Sequence, residues 1–318
     1  MVETFEAAPG IRAVDTLMGG RERVTSAYLV EAREPALVET GPGTSADAVV
    51  DGLRALGVGP DDLAHVVVTH IHLDHAGGAG AIAARFPSAT VWVHERGAPH
   101  LADPTRLVAS AERVYGADRL AELFGSVDPV PTERLRSLTD GDVVELGDRS
   151  LEALYTPGHA SHHVALADDR TGAIFVGDAL GVFLPDVRIL RPATPPPEFD
   201  LEVAARSVER IGDRRPPAVL FSHFGPVEEV AHVCGLAVTR MRRWTALVEE
   251  ALERTDNLED VVQALRDGTE GEMRAAGMER RMALEDRYEL LSSYRMNAMG
   301  LMRYLRGQDS AASRSATS

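Results

Sequence analysis

The segment Val66-Val67-Val68-Thr69-His70-Ile71-His72-Leu73-Asp74-His75-Ala76-Gly77-Gly78 runs an apolar strand straight into three histidines and an aspartate. Imidazole nitrogens and carboxylate oxygens are the donors that hold zinc-like divalent cations, and a held cation polarises carbonyls and lowers the pKa of water. On an extended strand, side chains two residues apart point the same way, so His70 and His72 are placed to grip one ion. Asp74 and His75 lie past the strand end, where Gly77-Gly78 lets the backbone turn and the small-residue run from Ala76 to Arg85 can begin a helix. They therefore point at a neighbouring position, and one segment can serve two adjacent metals. A lone histidine in such a place reads as a core or loop residue with a satisfied ring. Four ligand residues in HxHxDH register at the end of a buried strand read as a metal site.

Three later runs repeat the layout of an apolar or turn segment followed by a ligand type. Tyr155-Thr156-Pro157-Gly158-His159 presents a histidine on a Pro-Gly turn, Ala173-Ile174-Phe175-Val176-Gly177-Asp178 delivers a carboxylate, and Val219-Leu220-Phe221-Ser222-His223-Phe224-Gly225-Pro226 delivers another histidine. Each is weak alone, because Gly-Asp and Ser-His pairs are common in loops; their order gives them weight. The set resembles the metallo-β-lactamase superfamily, whose members read Thr-His-x-His-x-Asp-His-x-Gly-Gly at the first segment.

The resemblance covers roughly residues 10–227 and implies a ligand set: His70, His72 and His159 on one metal, Asp74, His75 and His223 on a second, and Asp178 shared. It implies an α/β fold, the four-layer αββα metallo-β-lactamase sandwich, here with an inserted helical segment and a C-terminal helical appendix. The implied cofactors are two divalent metal ions, zinc first, with manganese or iron also suited to the donors. The implied activity is that of a dinuclear hydrolase, in which a metal-bridging hydroxide attacks a thioester, lactone or other activated ester and Asp74 orients it and passes a proton to the leaving group. Glyoxalase II and the lactonases are the nearest functional analogies. The alternative is a mononuclear non-haem iron oxidoreductase similar to the persulfide dioxygenases, using only His70, His72, His159 and Asp178. Family members usually carry aspartate before the Thr-Gly of an early loop, where it supports the site indirectly; here Glu39 precedes Thr40-Gly41.

Composition narrows the substrate. The 318 residues, 44% of them hydrophobic, suffice for one large domain and a small one. A net charge of -16 argues against nucleic-acid and anionic-membrane partners, leaving a small-molecule substrate. Every basic side chain is arginine, so no lysine Schiff base, general base or phosphate-loop lysine can operate. The single cysteine, Cys234, forms no intramolecular disulfide and no thiolate cluster, and its neighbours suggest a buried helix position. Met1 to Gly10 carries no long apolar run, and no stretch reaches the length of a membrane span, so a cytoplasmic location is expected.

The elements that must position the ligands follow from pattern. Short strands are expected at Val24 to Glu31, Ala36 to Glu39 and Thr90 to His94, and a helix from about Ser45 to Leu56 with Ser45 as N-cap. An insertion, about 95–140, contains a helical stripe from Thr105 to Phe124, where Arg113 and Tyr115 are possible substrate contacts beside a solvated-face reading; His94 and His100 flank it near the site mouth. Residues Pro185 to Phe199 read as an irregular loop before a helix from Asp200 to Arg210. His162 and His163 read as strand-start residues facing solvent or core, with a supporting place behind the ligands as the alternative; His65 and His232 lie outside the motifs. The catalytic domain is expected at 1–227 and a helical domain at 228–306, with stripes Val230, Val233, Leu236, Ala237, Met241, Trp244, Leu247 and Leu284, Tyr288, Leu291, Met296, Met299, Met302, Leu305. Residues 307–318 are expected as a disordered tail. C-terminal helices help to bind substrate in glyoxalase II, which singles out Arg295, Asn297 and Arg303; a homodimer through the methionine-rich last helix is the other use of that stripe.

Overall fold

The structure is a computed structural model that describes the backbone of residues 2–184, 188–274 and 286–315. The chain forms two compact units; the last crossing between them falls after Glu228, and the second unit also takes two earlier stretches. The first is Met1–Tyr155, His162–Gly177 and Pro216–Glu228; the second gathers Thr156–Ser161, Asp178–Arg215 and Glu229–Ser318.

The first unit is built on two sheets. One holds seven strands in chain order: β1 (Thr4–Ala8), β2 (Ile11–Asp15), β3 (Ser26–Val30), β4 (Ala36–Val38), β5 (His65–Val67), β6 (Thr90–His94) and β7 (Leu135–Leu138). Pairing is antiparallel from β1 to β4 and parallel from β4 to β7. The other sheet contains β8 (Val143–Glu145), β9 (Ser150–Tyr155), β10 (Val164–Asp168), β11 (Ile174–Gly177), β14 (Val219–Phe221) and β15 (Gly225–Val227), in the order β15-β14-β11-β10-β9-β8. Between β11 and β14, β12 (Val182–Leu184) and β13 (Ile189–Arg191) form a separate hairpin in the second unit.

Successive side chains of the central strands alternate between two cores, so valine runs bury both faces. Val66, Val68, Val91 and Val93 pack with Val49 and Leu53 of helix α1 (Ala46–Ala55) and with Ile82 and Ala83 of α3 (Ala79–Arg85). Val67, Tyr28, Val30 and Val38 turn the other way and meet Leu151, Ala153, Val164, Leu166, Phe175 and Leu220 of the second sheet. Each fully buried valine, leucine, isoleucine or phenylalanine among them contributes about 1.5–3 kcal/mol. The ligand-bearing segments thus leave strand ends that cannot shift register without exposing a core face.

Several expected elements differ in detail. Ser45 stands before α1, but its side chain makes no capping hydrogen bond. The insertion stripe is two helices after a short α4 (Ala98–Ala102), namely α5 (Thr105–Tyr115) and α6 (Ala117–Phe124); they part at Gly116, whose φ of 77° ends the first helix. Leu120, Leu123 and Phe124 are buried, whereas α5 has no buried residue. The stretch expected as irregular from Pro185 contains β13; Pro185 itself lies outside the described residues.

The second unit carries α7 (Leu201–Asp213), α8 (Val230–Leu252), α9 (Leu258–Arg274) and α10 (Tyr294–Ser315). Asp200 caps α7 by accepting from the Val203 N–H at 2.9 Å. Val230, Val233, Ala237, Met241 and Trp244 of the first stripe are buried, as are Tyr288, Leu291, Met296 and Met302 of the second; Leu284 lies outside the described residues. Trp244 stacks on Tyr294 at 5.4 Å, and the buried Arg191 guanidinium lies 4.4 and 4.2 Å from the Tyr288 and Tyr294 ring centres. Helix α10 continues past Gly307, where a tail was expected. Among the described residues no helix is long and apolar enough to cross a membrane.

Candidate metal centre

Strand β5 ends at Val67, so His70 and His72 lie on the segment beyond it rather than on the strand itself. They still converge, with His70 Nε2 3.0 Å from His72 Nδ1. The Thr69 hydroxyl donates to Glu39 Oε1 at 2.6 Å, so its oxygen can only accept from His70 Nδ1, 3.0 Å away. That places the His70 proton on Nδ1 and turns the Nε2 lone pair toward His72, the arrangement of two nitrogens that share a cation.

Asp74 and His75 occupy the short helix α2 (Leu73–Ala76), and His223 follows β14. Asp74 Oδ2 lies 3.6 Å from both His75 Nε2 and His223 Nε2. That separation is too long for a hydrogen bond, and near the roughly 3.3 Å between two donors on a tetrahedral zinc with bonds of about 2.0 Å. One ligand atom from each of the three lies within 4.8 Å of the others. His75 and His223 are fully buried, whereas the Asp74 side chain is 17% exposed, so its carboxylate is the member that solvent reaches.

Glu39 ties these segments together. Its buried carboxylate accepts from Thr69 N–H (3.2 Å), Thr69 Oγ1, His75 Nδ1 (3.0 Å) and Ser222 Oγ (2.9 Å). Glu39 itself has φ of 65°, a left-handed conformation that a non-glycine residue adopts only when its surroundings impose it. The departure from aspartate therefore preserves the supporting role. A second brace acts behind His223: Tyr28 OH donates to Phe221 O at 2.5 Å and accepts from Gly225 N–H at 3.1 Å. Burial raises the Tyr28 pKa, so the phenol keeps the proton it donates. His223 Nδ1 faces Val24 O at 3.4 Å.

The second unit carries the other two expected ligands. His159 Nδ1 donates to Ala193 O at 2.9 Å, and its Nε2 lies 3.5 Å from Asp178 Oδ2. Each follows a glycine that its place demands. At Gly158 (φ 121°) a Cβ would come within 2.3 Å of Ala204 N, and at Gly177 (φ 48°) within 2.5 Å of His163 Nε2.

The first unit thus brings together Asp74, His75 and His223, with His70 and His72 as a close pair; the second holds His159 beside Asp178. The donors are all imidazole and carboxylate with no thiol, a chemistry that fits zinc, manganese or iron. Burial pushes the Cys234 thiol up to about 11, so it is no nucleophile.

His162 and His163 are buried beside the ligands rather than facing solvent. The His162 ring lies 6.1 Å from His70 and 5.5 Å from His72, and His163 lies 5.0 Å from His70. Their spacing from His159 was the only available signal. His94 is buried and stacks on Tyr155 at 4.7 Å, and Tyr115 packs on Phe124 at 5.1 Å. Arg295 pairs with Glu259, Arg303 donates to Pro197 O at 3.1 Å, and Asn297 is fully buried.

A family model described as the metallo-beta-lactamase superfamily matches residues 20–223. The chain is 30% identical over 172 residues to a metallo-beta-lactamase fold-containing protein of Sulfurisphaera tokodaii, covering 52% of this chain and 62% of that protein. It is 30% identical over 139 residues to a hydroxyacylglutathione hydrolase of Aeromonas hydrophila (44% and 40%) and 33% identical over 160 residues to an acyl-coenzyme A thioesterase of Gallus gallus (43% and 55%). The chain thus spans between two fifths and under two thirds of these relatives. In fold it is similar to a metallo-beta-lactamase family protein of Thermus thermophilus, with a TM-score of 0.64 and 22% identity, covering 96% of this chain and 95% of that one.

Proposed function

Because the chain belongs to the metallo-beta-lactamase superfamily, we propose that it is a dinuclear metal-dependent hydrolase that opens a thioester, lactone or other activated ester. The observation that carries the reading is the Asp74, His75 and His223 triad, in which one carboxylate oxygen stands 3.6 Å from two imidazole nitrogens. A mononuclear centre on His70, His72, His159 and Asp178 leaves that triad unused, so the presence of a full second set favours two metals. His70, His72 and His159 are proposed for the first metal, Asp74, His75 and His223 for the second, and Asp178 for both, a set the family motif order supports.

When bound, two divalent cations supply Lewis acidity that polarises a carbonyl and lowers the pKa of water toward neutrality. The chain's own residues do the rest. His70 and His75 are held with Nδ1 protonated, by Thr69 and Glu39, so each offers its Nε2 lone pair without reorganising. Asp74, the exposed carboxylate of its triad, orients the attacking water, takes its proton and returns that proton to the leaving thiolate or alkoxide. No serine or cysteine nucleophile is required.

The thioester preference draws support from the acyl-coenzyme A thioesterase and hydroxyacylglutathione hydrolase relatives. The net charge of -16 supports a small substrate over a nucleic acid. A hydrolysis panel of thioesters, lactones, phosphodiesters and β-lactams, run with zinc or manganese supplied, tests it. Turnover of thioesters or lactones is expected. Efficient RNA or DNA cleavage at physiological salt, with none of the carbonyl substrates turned over, would overturn the proposal.

A further inference from the structure

The C-terminal helices carry residues that the family ligand set leaves without a role. In the second unit they converge on one backbone stretch, residues 189–197. Tyr288 OH donates to Ile189 O at 2.7 Å, and Ser292 Oγ donates to Pro192 O at 2.6 Å. Asn297 Oδ1 accepts both the Thr194 N–H at 2.8 Å and the Thr194 hydroxyl at 2.7 Å. Because a backbone N–H can only donate, that contact fixes which way the Asn297 amide is turned. Its Nδ2 then donates to Ser292 Oγ at 2.8 Å and Ser293 O at 3.0 Å, which satisfies the fully buried amide. Helix α10 lies so close to this stretch that a Cβ on Gly300 would come within 1.8 Å of Thr194 O.

Ala193 sits between the two clamped residues Pro192 and Thr194, and its carbonyl receives the His159 Nδ1–H at 2.9 Å. A carbonyl oxygen only accepts, so this bond decides that His159 carries its proton on Nδ1 and offers Nε2. We propose that Asn297 is a positioning residue: by fixing Thr194 it holds the Ala193 carbonyl in the one place that sets the tautomer and ring angle of the metal ligand His159. The consequence for metal binding rests on the dinuclear reading above. The consequence for the His159 ring does not. The helical appendix thereby acts on the centre through backbone geometry, and Asn297 touches neither substrate nor metal.

The test compares the zinc-loaded full chain with Asn297→Ala, Thr194→Ser and Val248→Ala, reading zinc affinity by chelator competition and the His159 tautomer by nitrogen-15 imidazole spectra. Outer partners of metal-bound histidines are worth about 10–100-fold in metal affinity. Asn297→Ala should weaken one of two zinc ions at least about tenfold and lose the fixed Nδ1–H signal of His159, whereas Thr194→Ser, which keeps the hydroxyl, should match the parent in both. Val248→Ala opens a cavity in α8 and removes no hydrogen bond of the clamp; it should lower the melting temperature and keep both readouts. If Asn297→Ala does not fold, Ser292→Ala, which removes the brace on Pro192 and one partner of the Asn297 amide, takes its place. Parent-like zinc affinity and an unchanged His159 tautomer in the clamp variant would overturn the proposal, as would equal losses in Val248→Ala. A parent chain that takes up fewer than two zinc ions contradicts the dinuclear reading instead, and the His159 signal still decides the clamp.

Discussion

His75 and His159 have their Nδ1 protons fixed by different means in the two units. His75 donates to the Glu39 carboxylate, which also accepts from Thr69 and Ser222 and so ties the Thr69–His75 segment to the end of β14. His159 donates to a neutral backbone carbonyl, Ala193 O, whose place depends on the adjacent Thr194 and on Asn297 and Ser292, about a hundred residues further along the chain. A buried charge makes strong hydrogen bonds and tolerates no substitute, since every lone pair it loses is a cost of desolvation. A carbonyl held by neutral groups is a weaker but divisible device, in which each contact contributes a little. The two units should therefore respond differently to mutation, steeply around Glu39 and gradually around the clamp.

The largest effect is expected at the triad that Glu39 supports. Asp74→Ala should lose one metal per chain and reduce kcat by about 10³ or more, because a ligand and a proton carrier go together; metal content and turnover measured on one preparation check it. Next comes Glu39→Gln. Oε1 serves Thr69 Oγ1, His75 and Ser222, so the amide nitrogen must face the Thr69 N–H, donor against donor. Chemical denaturation should show a loss of about 1–3 kcal/mol, and metal affinity should fall about 10–100-fold. Unchanged stability would remove the steep half of the contrast. On the other side, Tyr288→Phe deletes the bond to Ile189 O, and about 1 kcal/mol is expected by the same measurement.

The smallest effect concerns acid. Burial lowers the pKa of His94, which stacks on Tyr155. The folded chain favours the neutral ring, so as pH falls through about 6.5 the unfolded chain takes up the proton first and stability declines. The decline levels off only once the folded ring is itself protonated. His94→Phe keeps an aromatic ring on Tyr155 and removes this uptake, so stability against pH should fall less steeply below about pH 6.5 than in the parent. Identical slopes would show that the buried His94 ring does not titrate on unfolding.

What sequence reading captured and missed follows the same contrast. The HxHxDH segment and the glycines before His159 and Asp178 announce themselves because their chemistry is local: ligands crowded within six positions, and turns that only glycine fits. The central strands were visible as valine runs because both faces are buried. The break of the insertion helix at Gly116 was a single residue that the apolar stripe outweighed, and β13 was hidden by the prolines around it. Asn297 attracted notice as a possible substrate contact, yet it is buried and braces Thr194. Nothing in an isolated asparagine tells which distant backbone it holds, and serine, threonine and asparagine are too common for their spacing to carry a signal. For His162 and His163 the sequence left solvent, core and a supporting place open for a related reason: where the His163 ring lies before β10 depends on Gly177, which is on another strand.

The central claim is that the chain holds two metals, and metal stoichiometry of the purified full-length protein tests it most directly. Elemental analysis of the parent and of Asp74→Ala should give two zinc or manganese ions per chain in the first and one in the second. One tightly held iron per chain in both would contradict the account, and would favour an iron oxidoreductase built on His70, His72, His159 and Asp178.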